Sequence, residues 1–207
     1  MLIWVVFAGF ACDGGPRSAP EATALVSLLV QFDRGDVYER ANARDALAAL
    51  GSEAVPGLQE RLASEQQGIR YHAARGLAAI EPIPMDALAI AVSSRDQRVR
   101  EVAADALVER GAPSFLAFEV ALTIPSHNVR EDALASLGRI GPKSMPLIET
   151  AFADPDPRVR RAAVEALGSV GWRARSRLIA LAKSEDKGVR RQAKEALRVL
   201  PKRPGRL

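Results

Sequence analysis

The chain has 207 residues, a formal net charge of +4, two histidines, a single cysteine and only 5% aromatic residues. One cysteine rules out an internal disulfide framework, and two histidines leave little for a histidine-rich metal site, which needs three or four convergent ligands. No strand-type alternation and no Gly-rich phosphate loop occur, which sets aside all-β folds and nucleotide-dependent α/β enzymes.

In chain order, Leu2 to Ala11 is an apolar run followed at once by Cys12. It is too short to span a bilayer, which takes about 20 residues, and fits the hydrophobic region of a secretory signal. Gly9-Phe10-Ala11-Cys12 resembles a bacterial lipoprotein cleavage box, with small Ala11 before the cysteine. It departs from that pattern at Gly9, where an aliphatic residue is usual, and in lacking a basic residue ahead of the run. The expectation is a signal or lipobox-like segment at 1–12, with Cys12 as the lipidation site. Residues 13–20, Asp13-Gly-Gly-Pro-Arg-Ser-Ala-Pro20, read as a flexible linker.

From residue 21 onward the sequence repeats with a period of thirty. Arginine stands at Arg40, Arg70, Arg100, Arg130, Arg160 and Arg190. Alanine stands at Ala43, Ala73, Ala103, Ala133, Ala163 and Ala193, and leucine at Leu47, Leu77, Leu107, Leu137, Leu167 and Leu197. The array divides into 21–50, 51–80, 81–110, 111–140, 141–170 and 171–200, with a basic tail at 201–207. A unit this short cannot bury its apolar face alone, so stacking must build the core.

Within a unit, Val159, Ala163, Leu167 and Val170 follow helical spacing. Asp36, Gln66, Asp96, Ser126, Asp156 and Asp186 occupy the expected N-cap position, and all but Gln66 are suited to it. Gly51, Glu81, Gly111, Gly141, Gly171 and Pro201 follow as stops. A second helix fills the other half of each unit, its core columns marked by Leu28, Leu58, Leu88, Phe118, Ile148 and Leu178. The predicted architecture is an all-α solenoid of six helix pairs, opening on an outer helix at 21–32 and closing on an inner one at 187–200.

The run Asp-x-x-Val-Arg-x-x-Ala-x-x-Ala-Leu-x-x-Ile/Val-Gly, clearest at Asp96–Leu107, His127–Gly141 and Asp156–Gly171, resembles the HEAT-like repeat in its short bacterial form, the bilin-lyase type. The resemblance covers residues 21–200. It implies that the cap aspartate and the arginine column form a ladder tying neighbouring units together. It also raises enzyme relatives. A di-iron hydroxylase of this architecture carries His-Glu pairs, whereas His72 precedes Ala73 and His127 precedes Asn128. Glycosylases of this type need an acidic residue and aromatics in a basic groove, and Trp172 is the only aromatic in the basic region. Bilin attachment sits poorly with a lipoprotein outside the cytoplasm. No catalytic, cofactor-binding or metal-binding residue is assigned.

Charge is graded along the array. Residues 1–103 carry 10 Lys and Arg against 13 Asp and Glu, and residues 104–207 carry 19 against 12. Arg161 and Arg191 each stand four residues before a glutamate, Glu165 and Glu195, a spacing expected to pair and partly neutralise them. On the inner helices, Tyr38, Tyr71, His72, Arg75 and Arg98 point away from the core stripe, and tyrosine and arginine are enriched at interface hot spots. The column Tyr71, Glu101, Glu131, Arg161, Arg191 changes from aromatic to acidic to basic. A surface of mixed sign suits an extended protein partner better than a polyanion. The reading is a non-enzymatic interaction scaffold, with no cofactor and an unidentified protein partner bound on the inner-helix face. An N-terminal lipid tethers it to a membrane facing the periplasm or the cell exterior. The alternatives are a soluble cytoplasmic adaptor and, in another class, a nucleic-acid-binding or glycosylase-like array using the basic units.

Overall fold

A computed structural model describes residues 19–201 of the chain. Cys12, its leader and residues 202–207 of the tail lie outside the described residues. Twelve α-helices follow one another, and no strand occurs among the described residues. The outer set comprises α1 (Ala19–Arg34), α3 (Val55–Arg61), α5 (Met85–Val92), α7 (Phe115–Thr123), α9 (Met145–Thr150) and α11 (Arg175–Leu181). The inner set comprises α2 (Val37–Ala49), α4 (Gln67–Ala79), α6 (Gln97–Arg110), α8 (His127–Ile140), α10 (Pro157–Val170) and α12 (Lys187–Val199). Each outer helix packs on the inner helix that follows it, and successive inner helices pack side by side from α2 to α12. The fold is an all-α solenoid of two layers. The first helix begins at Ala19, inside the stretch read as linker.

The core lies between the layers and is made by the repeating columns. All six column alanines are buried, as are Leu47, Leu77, Leu107, Leu137 and Leu167. Phe32, Leu58, Leu88, Phe118, Ile148 and Leu178 meet them from the outer layer. Each such side chain contributes about 1.5–3 kcal/mol by leaving water. Leu197 is the exception and is only half-buried, because no further helix pair covers α12 among the described residues.

Helix ends follow the sequence closely. Asp36, Asp96, Asp156 and Asp186 accept from backbone N–H groups of the first turn, and Asp36 forms a reciprocal capping box with Glu39. Gln66 makes no cap bond. Nor does Ser126, against expectation; its backbone is extended like a cap, but its hydroxyl takes no part. The inner helices α6, α8 and α10 stop at Gly111, Gly141 and Gly171, with φ of 67°, 95° and 89°. Only glycine adopts that conformation without strain.

Inner helices approach most tightly between α8 and α10. A Cβ added to Gly138 would stand 2.9 Å from the Ala166 carbonyl oxygen, a backbone atom that cannot swing aside. One added to Gly168, the same position one unit on, would meet Ala196 Cβ at 3.4 Å, an ordinary contact. Gly138→Ala is therefore expected to destabilise the chain by about 1–3 kcal/mol through overpacking. Gly168→Ala is expected to be neutral or stabilising by up to about 1 kcal/mol. Urea unfolding of the two variants checks this; equal effects would show that α8 and α10 have room to separate. Leu107→Ala, in mid-array, should cost about 2–5 kcal/mol in the same assay.

Candidate functional site

The arginine column occupies the seam between units. Just before each inner helix the chain turns, and its carbonyls have no partner in regular structure. Arg70 donates to the carbonyls of Ser64 and Glu65 at 2.8 and 2.9 Å, and to the Asp96 carboxylate of the next unit at 2.8 Å. Arg160 repeats this with Asp154 O, Pro155 O and Asp186. Here the acceptor is the N-cap aspartate of the following helix, so one carboxylate caps a helix and ties two units.

Two rungs use other aspartates. Ser126 offers no carboxylate, and Arg100 reaches Asp132 on α8 at 2.7 Å. Arg130 takes the loop residue Asp154 with two bonds of 2.7 and 3.0 Å, leaving Asp156 to stand 3.8 Å from His127. The ends are incomplete. Arg40 donates to Phe32 O and Gly35 O but finds Gln66 where an aspartate would stand. Among the described residues Arg190 donates to Ser184 O and Glu185 O alone.

Burial would raise the Asp96 carboxyl, but the hydrogen bonds from Arg70 and from the Arg98 N–H outweigh it, and its pKa lies below the usual value. Asp186 is lowered as well, first by the Val189 N–H and then by Arg160.

Seven of the nine inner-layer residues singled out in the sequence fall in three places, and Tyr38 and Glu131 stand alone. Tyr71, His72 and Arg75 come together on α4. The Tyr71 and His72 rings meet edge-on at 5.5 Å, and the Arg75 guanidinium lies 6.0 Å from the Tyr71 ring centre, a cation–π distance. His72 Nδ1 is buried with no hydrogen-bond partner. Burial, then Arg44, Arg40 and Arg75, push its pKa below the ordinary histidine value, which keeps the ring neutral at neutral pH. Tyr38 stands apart at the first turn of α2, 81% exposed.

Arg98 and Glu101 border an open pocket of about 710 Å³ with Gln67, Arg70, Arg95 and Asp96. Glu131 is half-buried on α8, one carboxylate oxygen lacking a partner. Arg161 and Arg191 form the third place, on α10 and α12. The expected pairs with Glu165 and Glu195 are not formed; Glu195 faces Arg198 at 3.6 Å instead. Both arginines stay uncompensated because, on a solvated face, a helix-spaced pair gains too little to hold two long side chains in one geometry.

The sequence reading missed an apolar surface on the outer layer. Val26, Val30, Ile90, Leu116, Val120 and Ile179 are all at least 45% exposed and all lie on outer helices. Ile90 and Val120, with Leu62, Ala63, Ala89 and Ile124, line a groove of about 560 Å³ between α5 and α7. The signal was present: Ile90 and Val120 are apolar at a position outside the core columns, where Glu60 and Thr150 stand in other units. Among the described residues no group of three His, Cys, Asp or Glu is placed to hold a metal ion, and no helix is long and apolar enough to cross a membrane.

Residues 116–198, the span of α7 to α12, match the family model described as HEAT repeats. The matched span is similar to HEAT repeats, and the three units before it carry the same arginine, alanine and leucine columns. Among solved structures it is similar to human deoxyhypusine hydroxylase in complex with glycerol, at 19% identity over 89% of this chain and 85% of that one, with a TM-score of 0.46. It is also similar to the archaeal HEAT-like repeats protein from Thermococcus onnurineus NA1, at 15% identity over 93% and 85% of the two chains and a TM-score of 0.46. The complex of CpcE and CpcF of phycocyanin lyase from Nostoc sp. PCC7120 gives 23% identity over 92% and 80%, with a TM-score of 0.44. No curated protein sequence matches the chain.

The shared aspartate gives a pH test. Because Asp96 ionises more readily folded than unfolded, its contribution is present above the unfolded carboxylate value, about 4, and is lost as pH falls through its lowered folded value. Asp96→Asn should therefore destabilise the chain most near neutrality, with the deficit shrinking toward about pH 3. Urea midpoints of wild type and variant across that range measure it; a deficit independent of pH would mean that the Arg70–Asp96 ion pair is not what Asp96 supplies.

Proposed function

We propose that the protein is a non-enzymatic scaffold that binds a protein partner on the inner-helix face and is held at a membrane by a lipid on Cys12, facing the periplasm or the cell exterior. The observation that carries the binding face is the Tyr71–His72–Arg75 cluster. Its aromatic and guanidinium groups are partly open to solvent, and none of the three belongs to the arginine ladder. The ladder arginines, by contrast, are occupied by carbonyls and carboxylates of the stack itself. A half-buried tyrosine braced by histidine and arginine presents a large contact area at low entropic cost. The tether is supported by Ala11-Cys12 directly after the apolar run.

A second reading of the binding face is favoured by the apolar groove at Ile90 and Val120. Exposed apolar patches on outer helices mark a docking surface when they are contiguous. Two variants separate the faces. With helicity unchanged by circular dichroism, Tyr71→Ala should abolish retention of the partner in a pull-down, and Ile90→Asp/Val120→Asp should leave it intact. The reverse pattern moves the binding site to the outer layer.

For the tether, Cys12→Ser should release the protein from the membrane fraction. A mature chain that keeps Met1 and stays in the cytosol would favour the soluble adaptor.

A further inference from the structure

Among the described residues α12 differs from the four inner helices before it on the flank that faces the next unit, although α2 also carries a cation there, Arg44. In α4, α6, α8 and α10 that flank carries Ala74, Ala104, Leu134 and Val164, each buried. In α12 the equivalent residue is Lys194, and it is exposed. Lys187, Arg191, Lys194 and Arg198 follow one another at spacings of four, three and four, so they form one stripe about 16 Å long on the helix surface. All four are exposed.

Among the described residues Lys187, Arg191 and Lys194 have no side-chain hydrogen bond or ion pair, and Arg198 has only the 3.6 Å contact with Glu195. Arg161 joins them from α10: a Cβ placed on Gly188 would meet its Cδ at 3.4 Å, so the side chain lies over the first turn of α12. Arg190, beside the stripe, is a ladder arginine that among the described residues has loop carbonyls and no carboxylate as acceptors.

Among the described residues no further unit covers this flank, and a flank in water requires only polar side chains. Either sign would serve, and alternating signs would be more stable, because like charges one turn apart repel. Lys187, the first residue of α12, also stands against the positive end of the helix dipole. A stripe of one sign is therefore not accounted for by folding.

We propose that this stripe, together with Arg161, docks an acidic, extended segment of a protein partner. The inference rests on the reading that the inner-helix face binds protein, and names the chemistry of the partner there. Charge complementarity selects the occupant. Glu165 and Glu195 stand exposed one turn from Arg161 and Arg191. A single extended chain, with alternate side chains on one face at about 6.5–7 Å, sets its carboxylates along the cations without overlying those glutamates. A duplex carries one negative charge per about 1.7 Å of axis and is broad enough to lay phosphates on them.

The test is fluorescence anisotropy with the full chain and three probes of equal charge: a labelled peptide of alternating Asp and Glu, a single-stranded oligonucleotide and a duplex. Co-sedimentation with phosphatidylglycerol vesicles is a fourth arm. The peptide is expected to bind most tightly and to weaken as salt rises from about 50 to 200 mM. Lys187→Glu/Arg191→Glu/Lys194→Glu is expected to weaken it by roughly 10-fold or more. Lys187→Gln/Lys194→Gln gives the same direction if the charge reversal disturbs the fold. Tighter binding of an oligonucleotide or of vesicles that the variant abolishes, peptide affinity unchanged in the variant, or no peptide binding would each overturn the proposal. Tyr71→Ala should leave the peptide bound. If the peptide arm fails while a protein partner is still lost on Tyr71→Ala, the acidic-segment inference alone falls.

Discussion

The stack depends on what happens where the chain turns from an outer helix into an inner one. Two carbonyls face inward there with no backbone donor to meet them, and leaving them unpaired costs about as much as a lost hydrogen bond each. The arginine one turn into each inner helix reaches back to both. That fixes its guanidinium at the seam, and the seam then needs a carboxylate from the next unit to compensate the charge. Arg100 and Arg130 are at least nine-tenths buried, so the compensation is not optional. One arginine per unit thereby converts a local turn requirement into a bond between units, which is why the column is invariant along the array while its partners vary.

This division of labour explains what the sequence revealed and what it concealed. The arginine, alanine and leucine columns each answer a demand internal to one unit: turn carbonyls, close helix approach, core volume. Such demands recur at fixed spacing, so the period discloses them, and helix number and burial follow. The carboxylate partner answers a demand between units that any nearby aspartate satisfies. Asp96 and Asp186 do it as caps, Asp132 from within a helix, and Asp154 from a loop. Spacing does not distinguish these solutions, because they differ in side-chain reach rather than in register.

Surface pairing was less legible for a related reason. Arg161 with Glu165 and Arg191 with Glu195 have the right spacing, yet no ion pair forms at either. Pairs that do form on this chain often join neighbouring units, as Arg61 with Asp33, Arg139 with Asp105 and Arg177 with Glu149 do. A neighbour's carboxylate approaches across the groove between helices, whereas one on the same helix competes with solvent along an open surface. Helical spacing alone overestimates local neutralisation and hides the net charge of α10 and α12.

The same logic distributes possible function over the molecule. Units two to five use much of their charge on one another, and the inner layer there keeps the Tyr71–His72–Arg75 cluster, the open pocket at Arg98 and, among the described residues, an unpaired Arg161. The outer layer makes fewer inter-helix contacts of its own, so Ile90, Leu116 and Val120 are left without a cover. At α12 the ladder arginine donates to loop carbonyls but meets no carboxylate among the described residues, and the flank that is core in α4 to α10 carries a row of cations. Charge that elsewhere meets an aspartate of the next unit has no such carboxylate here among the described residues. An acidic partner segment would then meet, from outside the chain, the demand that aspartates meet within it.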